Sequence, residues 1–77
     1  MVYTLIKEIK TDLLNNKQYF IIHFEYMNKE RFTYVSPETL TYWRKRLKDS
    51  SFNFTRGLMI NVFKVPYSQN YKIIGVK

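Results

Sequence analysis

From Lys17 to Met27 the chain alternates, with Phe20, Ile22, Phe24 and Tyr26 on one side of an extended backbone and Tyr19, Ile21, His23 and Glu25 on the other. A period of two in a run rich in aromatic and β-branched residues predicts a strand, and apolar residues on both sides at its centre predict burial on both faces. Asn28-Lys29-Glu30 predicts a turn into Arg31–Val35, a second strand of the same hairpin. The period then changes. Ser36 can cap a helix, Pro37 suits its first position, and Glu38 favours its positive end, so a helix is expected over residues 37–49. Leu40, Trp43 and Leu47 recur on it at three- and four-residue steps. That stripe must bury itself, and a sheet containing Phe20, Ile22 and Phe24 is the expected platform.

The remaining segments are read the same way. Ser50 to Gly57 is a polar loop interrupted by Phe52 and Phe54, and the runs Leu58–Val65 and Tyr71–Val76 are strand-like, joined by the turn chemistry of Pro66-Tyr67-Ser68-Gln69-Asn70. The first segment admits two readings. Val2, Leu5, Ile6, Ile9 and Leu13 fit a helix face, yet Val2–Ile9 also suits an opening strand followed by a turn at Asn15-Asn16. The expectation is an α+β fold, one small single domain spanning residues 1–77, with an antiparallel sheet and one principal helix in the order βββαββ. The alternative order is αββαββ.

A chain of 77 residues is short enough that its core is thin, and small domains are usually reinforced by disulfides, metals or oligomerisation. There is no cysteine, which removes disulfides and thiolate metal sites and leaves dense packing or a homo-oligomer. Seven Tyr, six Phe and one Trp supply large buried areas from few positions. No apolar run approaches the ~18 residues of a membrane span. Met1 is followed by no leader-like pattern, so a cytoplasmic location is expected. The heavy use of Lys, Asn, Ile and Tyr fits an AT-rich coding sequence such as that of a low-GC bacterium or its phages.

Charge sharpens the reading. Residues 1–43 carry five cations against five carboxylates, whereas residues 44–77 carry eight cations against Asp49 alone, so the whole formal net charge of +7 lies in the C-terminal segment. A field of one sign attracts polyanions. Its densest part is Tyr42-Trp43-Arg44-Lys45-Arg46-Leu47-Lys48. Guanidinium groups can grip phosphates bidentately, Lys45 and Lys48 add point charges, and Tyr42 offers a stacking ring. Trp43 falls in the apolar stripe and is read as core. Arg56, Lys64 and Lys72, with Tyr67 and Tyr71 nearby in sequence, extend the surface with the aromatic and cationic mixture used for single-strand recognition. The ordinary reading of the same residues is a solvated amphipathic helix and a Tyr-rich hairpin.

Catalytic signals are weak. Gly57 and Gly75 cannot build a phosphate-cradling loop, and the lone His23 has no second imidazole or serine-aspartate setting. His23-Phe24-Glu25 imitates half of a zinc deaminase signature without its cysteine pair, and Glu8-Ile9-Lys10 imitates half of a nuclease metal site without a matching acid. A protein that is no enzyme and needs no cofactor or metal is expected. The expected function is nucleic-acid binding, DNA before RNA, through Tyr42, Arg44, Lys45, Arg46, Lys48, Arg56, Lys64 and Lys72. The alternative is a phage-type inhibitor or adaptor docking on an acidic protein surface. Over residues 2–49 the order of sheet then helix resembles the DNA-binding arm domains of phage-type integrases, which present a three-stranded sheet to the major groove. The resemblance is one of element order and transfers no residue.

Overall fold

The computed structural model describes residues 2–77. Six strands and one helix follow one another as β1 (Val2–Leu5), β2 (Glu8–Leu14), β3 (Lys17–Tyr26), β4 (Lys29–Val35), α1 (Pro37–Leu47), β5 (Met59–Lys64) and β6 (Tyr71–Val76). The fold is α+β, and the opening segment is strand, not helix. Instead of one sheet there are two, both antiparallel and three-stranded, in the orders β1-β5-β6 and β2-β3-β4.

The two sheets are joined through Ile6 and Lys7, the two residues between β1 and β2. Ile6 N–H donates to the Leu58 carbonyl at 2.9 Å and its carbonyl accepts from Gly57 N–H at 2.8 Å, while Lys7 N–H donates to His23 in the other sheet at 2.8 Å. The chain therefore changes sheets between Ile6 and Lys7. The Ile6 side chain is left in the core at 1% exposure. At the far side, the buried Thr33 of β4 donates its hydroxyl to the Tyr71 carbonyl of β6 at 2.7 Å. This link on one side and the Thr33 hydroxyl on the other hold the two sheets around one core. That core holds Ile22, Phe24 and Val35 from one sheet and Ile60, Val62 and Tyr71 from the other.

Turn chemistry fixes the hairpin registers. Asn15 and Asn16 both adopt positive φ (52° and 62°), as do Met27 and Asn28 (52° and 63°), the twisted two-residue loops that match the strand twist of a hairpin. The second loop begins one residue earlier than expected, because Met27 occupies a left-handed position and gives no compositional sign of it. Ser36 caps α1, accepting from Thr39 N–H at 3.2 Å, and Pro37 opens it. The helix stops at Leu47, not at 49: Lys48 turns left-handed at φ 54° and closes the end with bonds to the carbonyls of Arg44 and Lys45.

Two packing expectations are corrected. Leu40 and Trp43 are buried, but Leu47, the last helical residue, is 39% exposed, and Phe54 from the following loop completes the core. β3 is packed on one face only. Ile22 and Phe24 are wholly buried, while Tyr19, Ile21 and His23 are half-buried and Glu25 is exposed, because no element among the described residues packs on the outer side of β2-β3-β4.

Candidate nucleic-acid interface

The helix end assembles the first group of cations. Its last turn carries Arg44, Lys45 and Arg46, where the free carbonyls make the C-terminus electronegative and favour cations. Lys45, Arg46 and Lys48 are exposed. Tyr42 is 53% exposed, its ring standing edge-on to Trp43 with centroids 5.3 Å apart. Arg44 is different. It is half-buried, and its Nε donates to the Phe52 carbonyl at 2.7 Å, so it pins the loop that follows the helix. Asp49 is held below the usual carboxylate range, first by the hydroxyl and N–H of Ser51 and less by Arg44.

The other expected residues divide by strand face. Lys72 stands opposite Phe63 and Lys64 opposite Tyr71, so the two lysines leave the hairpin on opposite sides. Lys72 and Arg56 are exposed. Lys64 is half-buried and donates to the Ser68 carbonyl within the β5–β6 turn. Tyr71 is buried at 7% exposure, its ring meeting those of Phe24 and Tyr26, and is a core residue with no free face for a base. Tyr67 is fully exposed. Five of the eight expected residues thus keep a free cation: Lys45, Arg46, Lys48, Arg56 and Lys72. Among the described residues, none of these has a carboxylate within 4.0 Å; the ion pair is Lys17–Glu38 at 3.0 Å, and the His23 ring stands 3.8 Å from Glu30.

A further cation comes from the first half of the chain. A cavity of about 700 Å³ opens between the edges of β4 and β6, with Arg31 and Lys72 among its lining residues. Arg31 faces inward opposite Phe24, and its Nε is buried without a hydrogen-bond partner. That nitrogen is shut off from solvent, so Arg31 brings its charge to the cavity and not a free Nε donor. Only the strand register discloses this, since Arg31 lies in the charge-balanced segment of the sequence.

The outer face of β2-β3-β4 has the opposite character. It carries Glu8, Asp12, Glu25 and Glu30 against Lys10 and Lys17, and Lys17 is bound to Glu38. That excess of carboxylates is unfavourable toward phosphates, so this face does not suit the major-groove docking implied by the resemblance to integrase arm domains. Among the described residues no group of three His, Cys, Asp or Glu could hold a metal ion, and no helix is long and apolar enough to cross a membrane. No protein family, curated protein or solved structure matches the chain.

Proposed function

We propose that this protein is a nucleic-acid-binding module that grips the phosphate backbone and carries out no chemistry on it. The observation that carries the reading is the set of exposed cations without ion-pair partners at Lys45, Arg46, Lys48, Arg56 and Lys72. An unpaired surface cation gives up only water and counterions on meeting a phosphate, and counterion release then drives association. Arg31, which lines the β4–β6 cavity with Lys72, adds positive charge there. Arg44 and Lys64 serve the fold, through the Phe52 and Ser68 carbonyls.

Phosphate contacts carry charge and no sequence information, so replacing Lys45 and Lys48 with Gln weakens binding about equally for unrelated sequences. Each lost contact lowers the slope of log affinity against log salt by ~0.9 on duplex DNA, and the double variant flattens it by nearly two units, or about 1.8. An unchanged slope in a variant that still melts like the parent removes the helix from the interface. A protein target is the second reading, favoured by the aromatic residues that the two sheets leave uncovered.

A further inference from the structure

Both sheets leave aromatic or aliphatic side chains exposed on their outer faces, and the two faces differ in charge. On β1-β5-β6 the outward positions hold Tyr3, Leu5 and Phe63, at 57%, 49% and 36% exposure. Ile74, at the irregularity in β6, is 41% exposed. The cations beside them are Lys72, opposite Phe63, and Lys77, whose Nζ lies 5.0 Å from the centre of the Tyr3 ring. The strands of this sheet contribute no carboxylate side chain.

On β2-β3-β4 the outward positions hold a joined aromatic group. Tyr34 meets both Tyr19 and Phe32, at centroid distances of 6.2 and 6.0 Å, and Phe32 meets His23 at 5.9 Å. Phe32 and Tyr34 are 53% and 45% exposed. The carboxylates around this group include Glu25 and Glu30, which stand directly opposite one another in the ladder. Like charges in that arrangement destabilise a sheet; Glu30 lies 3.8 Å from His23 Nδ1, but Glu25 has no cation within 4.0 Å among the described residues, and a cation brought from outside relieves the pair.

We propose that a second copy of the chain docks between these faces, its β1-β5-β6 surface seated on the first copy's β2-β3-β4 surface. Apolar side chains fill the centre, and Lys72 and Lys77 of one copy approach the Glu25–Glu30 end of the other. The surfaces are different patches, so the contact is head-to-tail and leaves an open acceptor and an open donor at the two ends. The net charge of +7 opposes association at long range, but at 0.1 M ionic strength that repulsion is screened beyond ~10 Å. The inference does not rest on nucleic-acid binding and is tested without any nucleic acid.

Two variants separate the faces: Phe32→Thr with Tyr34→Thr, and Leu5→Thr with Phe63→Thr. Circular dichroism and thermal melting first establish that each is folded; where a pair fails to fold, Tyr34→Thr or Leu5→Thr alone takes its place. Sedimentation velocity at rising concentration then reads assembly. Wild type is expected to pass from monomer to dimer and larger species, and each variant to stay monomeric. An equimolar mixture of the two variants has one intact face of each kind and should form a dimer and nothing larger. A wild type that stays monomeric up to about 1 mM, a variant that still self-associates, or a mixture that remains monomeric overturns the proposal.

Discussion

Thr33→Val tests how the two sheets are held together. The Thr33 hydroxyl is buried and donates to the Tyr71 carbonyl at 2.7 Å, joining β4 to β6, two strands that belong to different sheets. Valine keeps the shape, so no cavity is created, but it removes the donor and leaves a carbonyl of a buried residue unpaired. Losing one partner of a buried hydrogen bond costs about 1–3 kcal/mol, and the added methyl group returns part of it through apolar burial. A net loss of about 1–2 kcal/mol is expected. In a domain of this size each kcal/mol moves the melting temperature by about 4–8 °C, so the variant should melt some 5–15 °C lower. Urea denaturation is the assay: the midpoint should fall while the slope stays constant, since the surface exposed on unfolding is unchanged. Amide exchange should accelerate in β4 and β6 more than in β2. A stability within about 0.3 kcal/mol of the parent, too small for a buried hydrogen bond, would refute that link.

Trp43→Ala should cost about 3–5 kcal/mol and Leu47→Ala well under 2, because the first side chain is buried and the second is exposed in the last helical turn; reversed values in the same titration contradict the packing. Met27→Asn should stabilise the protein by about 0.5–1 kcal/mol, since Asn tolerates the left-handed conformation better than Met does, and a loss of stability would show that Met27 makes a contact worth more than its strain. Glu38 and Asp49 are held below their ordinary values, by Lys17 and by Ser51 respectively, so the stability they contribute is present above the ordinary carboxylate range and is lost as pH falls below it through their lowered values. Glu38→Gln should therefore flatten the acid side of the stability profile, and an unchanged profile would show that the Lys17 contact has no effect on folding.

Local chemistry was the legible part of the sequence. Ser36-Pro37 marks the helix start, and Asn15-Asn16 marks a hairpin loop, because each has a preferred backbone conformation. The limits of β6 also follow its apolar run. The change of sheet at Ile6–Lys7 leaves no such mark, since it consists of hydrogen bonds from neighbouring residues to two different partners. Leu47 lies on the expected stripe yet is exposed, because a helical period says which side faces inward and not how far the partner surface extends. The cationic helix face was legible from spacing alone. That Arg44 and Lys64 are committed to carbonyls, and that Arg31 faces a cavity, depends on how the chain folds back on itself.

Titration of the wild-type protein against duplex DNA, single-stranded DNA and RNA, from about 50 to 200 mM salt, is the most direct test of backbone binding. If three to five of the exposed cations contact phosphates, log affinity for the duplex should fall against log salt with a slope of about −2.7 to −4.5, and less steeply on single strands. Affinity that does not change with salt, or no measurable binding to any of the three polymers at about 50 mM, contradicts the proposal.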